Sequence, residues 1–191
     1  MEPNTVFIRL LDVTVVNGRE QHLELISDGG VMPVAVDFSA FFADCHRRVA
    51  AALALTLQDD ELGADAAAEG MARAYQRWDD VGRYANPSGW VYRVGLNWAR
   101  SRRRKWMREV FRSESPDDRQ AGSEPPVEPE LEAALIGLPI EQRSVVVLRY
   151  LLDWSEFQTA EALDIAPGTV KSRLSRALDR LAVILEDSDE S

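Results

Sequence analysis

The sequence predicts an all-α protein: two small helical domains joined by a flexible acidic linker, behind a short, β-rich N-terminal extension. Three observations carry that prediction. After residue 36, apolar residues recur at spacings of three and four, the pattern of helices that bury one stripe. Residues 113–130, SESPDDRQAGSEPPVEPE, are rich in proline and acid and almost devoid of apolar side chains, so they read as a linker. Residues 1–36 differ from everything after them: TVFIRLLDVTVVNGREQHLELI is rich in β-branched residues, with Asn17-Gly18 as a hairpin turn. VMPVAVDF offers a third strand. A few short strands are marginal alone, so this piece must pack on the body or stay loosely ordered.

Each helix follows in order. Asp37 can cap a helix running to about Leu57. A second helix, GADAAAEGMARAYQRW, follows an acidic loop. Asn86 as cap and Pro87 in the first turn open a long third helix, continuing through ARSRRRKWMR to about Phe111. Beyond the linker come LEAALIGL, then PIEQRSVVVLRYLLD, then WSEFQTAEAL, where Ser155 and Gln158 have the spacing of a capping box. A turn of about three residues leads into PGTVKSRLSRALDRL. There Val170, Leu174, Ala177, Leu178 and Leu181 fall in one sector, and Ser172, Ser175, Arg176 and Asp179 lie opposite. Lys171 flanks one side of the stripe, Arg173 and Arg180 the other. Two short helices, the second with a cationic outer face, form the helix-turn-helix pattern. Taken alone, the same stripe also suits an ordinary amphipathic helix with a solvated face. The domains read as 37–112 and 131–184, with an acidic tail over 185–191.

Composition narrows the function. With 22 basic and 32 acidic residues the chain carries a net charge of −10, unlike a protein that coats nucleic acid unaided. The distribution is uneven, however. ARSRRRKWMR gathers Arg100, Arg102, Arg103, Arg104, Lys105 and Arg108 without an acid among them, while acids collect at QDDELGAD, SESPDD and EDSDES. That asymmetry fits local grip on DNA with discouragement of loose binding. No apolar run is long enough to span a membrane and the stretch MEPNTVFIRLLD lacks a basic segment followed by an apolar one, so a cytoplasmic protein is expected. The lone Cys45 reads as a small buried hydrophobe, and His22 and His46 have no metal-ligand spacing with it; no metal or cofactor is expected. Neither a glycine-loop unit, a nucleophile elbow nor a carboxylate pair is present, so no enzyme is expected.

Two stretches resemble one family. LPIEQRSVVVLRYLLDWSEFQTAEALDIAPGTVKSRLSRAL is similar to region 4 of the extracytoplasmic-function sigma factors of bacterial RNA polymerase. FADCHRRVAAALALTLQDDELGADAAAEGMARAYQRWDDVGRYANPSGWVYRVGLNWARSRRRK resembles their region 2, and NPSGWVYRVGLNWAR makes the match specific. The resemblance implies an initiation factor whose partners are core RNA polymerase, promoter DNA and an anti-sigma factor. Region 4 would bind the −35 element through Thr169, Lys171, Ser172, Arg173, Ser175 and Arg176 at the start of the recognition helix. Region 2 would bind and open the −10 element. Arg83, Tyr84, Asn86 and Ser88 lie in the loop RYANPS that matches the family's base-capturing loop. Trp90, Arg93, Asn97 and Arg100 share one face of the following helix, with Arg103 beyond them on phosphate. Trp90 either wedges at the edge of the opened duplex or belongs to the core; the arginine run either meets DNA or is a solvated helix end. The family's polymerase-docking surface matches Asp65, Glu69 and Arg73, and the acidic linker would thread the polymerase's nucleic-acid channel. Three residues depart from the family pattern. Ala68 stands where glutamine is common, which implies weaker core affinity; Asp164 replaces the turn glycine, and Ala166 replaces the serine that caps the recognition helix. Two other readings use the same residues: a helix-turn-helix regulator acting without polymerase, and a degenerate sigma-like protein acting through partner binding.

Overall fold

The computed structural model describes residues 37–110 and 134–189, and among them every regular element is a helix. The β-rich extension over 1–36 and the linker over 113–130 lie outside the described residues. Helix α1 spans Phe38–Leu57 and α2 Asp60–Gln76. Next come a short turn, α3, over Trp78–Val81 and the long α4 over Pro87–Val110. The C-terminal half holds α5 (Ile140–Tyr150), α6 (Glu156–Leu163) and α7 (Pro167–Asp189), preceded by a helical turn over 134–136.

Local chemistry sets the helix ends. Asp37 occupies the N-cap of α1, yet its side chain makes no capping bond. Gln58 ends α1 in the left-handed region (φ 55°) and returns its N–H to the Ala54 carbonyl. Helix α2 starts three residues ahead of the sequence reading. The acids of QDDELGAD are the cause: Asp59 accepts from the Leu62 N–H at 2.9 Å, and Asp60 and Glu61 sit where the helix dipole favours negative charge.

Helices α1, α2 and α4 pack together through small residues. A Cβ on Gly63 would lie 2.4 Å from the Ala54 Cα, and one on Gly95 would lie 2.5 Å from the Ala66 carbonyl oxygen. At these positions the α1–α2 and α2–α4 backbones approach too closely for any Cβ, so glycine is required. Around these contacts lie the buried Val49, Leu53, Ala66, Ala67, Met71, Val91, Tyr92 and Leu96. The Tyr92 hydroxyl is satisfied by Thr56 Oγ1 at 2.8 Å, so α4 is keyed to α1 by a buried hydrogen bond. In the other half Val145, Ala160 and Val170 bring α5, α6 and α7 into one small cluster.

The two halves do not stand apart. One continuous apolar core includes Leu53 and Tyr92 from the first half and Leu148, Trp154 and Leu181 from the second. Helix α1 packs on α5, and α4 packs on α6.

Burial of two weak acids gives this core a pH dependence. Burial, with the Asp44 carboxylate beside it, pushes the Cys45 thiol up to about 12. Burial likewise raises the Tyr92 phenol, against the lowering effect of its Thr56 bond. Both groups are held neutral in the folded chain. Their contribution is complete below the unfolded-chain values and is lost as pH rises above about 9 toward the folded values. Urea midpoints measured at neutral pH and through the alkaline range should therefore fall with rising pH, and Cys45→Ala should remove the earliest part of the fall. A flat alkaline profile would show that these groups are not shielded from water.

Candidate nucleic-acid and polymerase interfaces

The recognition helix is aimed by its turn. Helix α6 opens with the full capping box: Ser155 Oγ accepts from the Gln158 N–H, and Gln158 Oε1 accepts from the Ser155 N–H. It ends at Asp164, whose φ of 56° places a non-glycine residue in the left-handed region. Pro167 is then the first residue of α7, as the sequence predicts. The apolar stripe turns inward: Val170, Ala177 and Leu181 are buried. On the outer face Lys171, Ser175 and Arg176 are exposed, and Thr169, Ser172 and Arg173 are half-buried. Ser172 donates its hydroxyl to the Thr169 carbonyl, which leaves its lone pairs to accept from a ligand. Among the described residues, no acid pairs with Lys171, Arg173 or Arg176. That face offers uncompensated positive charge.

The loop before α4 is organised by Asn86, which is only 7% exposed. Its Oδ1 accepts from the Gly89 N–H and from the Ser88 hydroxyl, both at 2.8 Å. The bond to Gly89 is the N-cap of the long helix. With Oδ1 so committed, Nδ2 is left buried without a partner, a donor inside the loop. Arg83 and Tyr84 project outward beside it, and Ser88 is half-buried. Trp90 joins the edge of the core while remaining half-exposed, and the Arg77 guanidinium lies 5.9 Å from its ring centroid. One turn on, Arg93 is half-buried and donates toward the Glu161 carbonyl of α6 at 3.5 Å. Asn97 is exposed and Arg100 half-buried. Arg100 and Arg103 line an open groove with Arg104, Met107 and Arg108. The sequence placed Trp90, Arg93, Asn97 and Arg100 on one face; the structure gives Arg93 a protein partner and leaves Asn97 open.

On α2, Glu69 and Arg73 are paired at 2.7 Å. Asp65 reaches across to Arg102 of α4 at 2.9 Å, and that guanidinium also lies 5.1 Å from the Trp98 ring centroid. The acidic face of α2 thus abuts the arginine run, a link that the sequence reading did not include. Also missed was Arg143, a buried cation at the start of α5. Its signal was an arginine just ahead of the run SVVVL, on the stretch of α5 that is otherwise apolar.

A helix-turn-helix with a cationic outer face, an arginine-lined groove and a capped polar loop together define an all-helical protein of the helix-turn-helix class, with surfaces whose charge suits nucleic acid. Comparisons with known proteins carry the assignment further. The sequence pattern "Sigma-70, region 4" matches residues 129–181. The RNA polymerase sigma-E factor of Streptomyces antibioticus is 38% identical over 128 residues, covering 62% of this chain and 68% of that protein. The ECF RNA polymerase sigma factor SigM of Mycobacterium tuberculosis is 32% identical over 155 residues, covering 78% of this chain and 76% of its own length. Among solved structures, the sigma factor RpoE of Bartonella quintana, in complex with the anti-sigma factor NepR, superposes with a TM-score of 0.66. It is 25% identical and covers 78% of this chain and 97% of its own. CnrH, solved with the cytosolic domain of CnrY, shares the fold at 22% identity and a TM-score of 0.55. The chain belongs to the extracytoplasmic-function sigma factors. Its place is therefore in transcription initiation.

Proposed function

We propose that the chain docks on core RNA polymerase through α2, reads the −35 element with α7, and captures and holds the opened −10 element with the Asn86 loop and α4. The reading assigns residues 37–112 to region 2 and 131–184 to region 4, with the work done in the cytoplasm and no catalytic step in the chain itself. The observation that carries it is a pair of positive surfaces with no ion-pair partner among the described residues, on a chain of net charge −10: Lys171 and Arg176 on α7, and the arginine-lined groove on α4. On α2 the docking set Asp65, Glu69 and Arg73 supports the reading by its ion pairs, which hold those side chains in place at little energetic cost to a partner that replaces them. An anti-sigma factor is a further partner, supported by the complex with the anti-sigma factor NepR in which RpoE was solved. Run-off transcription with purified core polymerase tests the proposal. A promoter-specific start supports it, and DNA binding without any start would favour a regulator acting without polymerase.

The recognition helix carries its own prediction. Arg176→Ala should cost about 1–3 kcal/mol at one promoter position, the worth of a bidentate base contact. Lys171→Ala should weaken all sequences alike and flatten the salt dependence by about one unit. Titrations of promoter and scrambled duplex at several salt concentrations separate the two. If both variants bind like the parent chain, α7 is not at the DNA.

A further inference from the structure

Five aromatic rings gather where α1 begins. The Phe38 ring lies 6.1 Å from Phe41 and from Phe42 on its own helix, 5.0 Å from Tyr75 near the end of α2 and 5.2 Å from Trp78 of α3. Phe41 meets Trp78 at 4.7 Å, and Phe42 stacks on His46 at 4.5 Å. The inner side of the group, Phe38, Phe41 and Trp78, packs against the core. The outer side is open: Tyr75 is 67% exposed and Phe42 41%. None of these rings belongs to the DNA or polymerase surfaces described above. An aromatic side chain buries about 150–250 Å² when covered, and open apolar ground of that kind marks a contact surface.

We propose that residues 1–36 of the same chain dock on this aromatic ledge. Position, composition and tethering name that occupant. The described residues begin at Asp37, next to Phe38, so residues 31–36 enter at the ledge itself. Those six residues reach about 20 Å when extended, several times the ring-to-ring distances of the group. Their composition suits the ground. VFIRLLDVTVV over 6–16 and VMPVAV over 31–36 are dominated by apolar side chains, unlike a solvated tail, and the thioether of Met32 suits aromatic edges. Tethering favours the segment over any partner from solution, because a linked segment meets its site at about millimolar effective concentration. A second copy of the chain must instead approach against a net charge of −10 on each. The docking goes beyond the sigma-factor reading and does not depend on it, since it uses neither the DNA-facing nor the polymerase-facing residues.

Hydrogen exchange in the full chain tests the docking. Backbone amides within 31–36 should exchange about tenfold slower, or more, than those of an open chain. Replacing both exposed rings, Phe42→Ser with Tyr75→Ser, should return them to open-chain rates while the amides of α4 to α7 keep theirs. Both rings are exposed, so the body should still fold, which circular dichroism monitors. Val34→Asp, placed in the segment instead of the ledge, should release the docking by itself and keeps the test readable if the double variant fails to fold.

Cross-linking supplies the location. With the photoreactive p-benzoylphenylalanine in place of Tyr75, irradiation should join position 75 to residues 1–36 of the same chain, read by mass spectrometry. Mixing isotopically light and heavy chains separates these links from links between copies. Open-chain exchange throughout 1–36 in the parent, protection that survives the substitutions, or cross-links only between copies would each overturn the docking. Protection that appears only once promoter DNA or core polymerase is added would overturn it as well, and would give the ledge to that partner.

Discussion

Replacing Tyr92 by alanine is expected to lower the stability of the folded chain by about 3–5 kcal/mol, the range for truncating a large buried aromatic. Tyr92 is fully buried and sits at a crossing of three elements. It is anchored on α4, its hydroxyl meets Thr56 on α1, and its ring meets Trp154 beyond α5. Truncation opens a cavity in the shared core, and it strands the Thr56 hydroxyl in an apolar site. Tyr92→Phe separates these effects. It keeps the ring and should cost only about 1–2 kcal/mol, the hydrogen-bond part. Urea unfolding followed by tryptophan fluorescence measures both. A Tyr92→Ala loss no greater than the Tyr92→Phe loss would mean that the ring is not part of the shared core, and the continuous packing of the two halves would be wrong at this point.

Legibility in the sequence followed the range of each interaction. Ser155 and Gln158, Asn86 and Pro87, and Pro167 announced their helix starts because a cap is settled within three or four residues. Asp164, a departure from the family's turn glycine in the sequence, still takes the left-handed turn, since aspartate is among the few residues that tolerate it. The start of α2 was misjudged because several acids compete to cap, and only the folded backbone selects Asp59. Site residues show the same divide. The shared face of Trp90, Arg93, Asn97 and Arg100 follows from helical period. That Arg93 spends its guanidinium on Glu161 does not, for the partner lies 68 residues away. Arg143 and Thr56 are separated by 87 residues, and Asp65 and Arg102 by 37. A periodic pattern reports which face is buried but not what covers it. The dual task of Asn86 was half visible: its cap was legible, its unpartnered Nδ2 was not, because a free donor exists only once Oδ1 has been committed.

Asn97→Ala, and changes at Arg83 or Tyr84 in the loop, are expected to slow open-complex formation by roughly 5- to 150-fold while leaving −35 binding intact. That span corresponds to the 1–3 kcal/mol that stacking returns for each captured base. The reason is a balance of costs. Extruding a base from the duplex costs a few kcal/mol, and it stays out only if a pocket replaces its stacking and pairing. Arg83 and Tyr84 are exposed at the rim of the loop and Asn97 is exposed on the helix below it, so their removal leaves the buried scaffold of α4 unchanged. Asn86 makes a contrasting probe. Asn86→Ala removes both the loop donor and the cap of a 24-residue helix, so it should add a stability loss of about 1 kcal/mol to the opening defect. Permanganate reactivity of unpaired thymines measures opening on an intact duplex and on a template with a mismatched −10 bubble. The mismatched template supplies the unpairing in advance, so the defect of Asn97→Ala should shrink there by most of its size. Equal defects on both templates would mean that these residues serve folding or polymerase docking, and the assignment of base capture to this loop would fall.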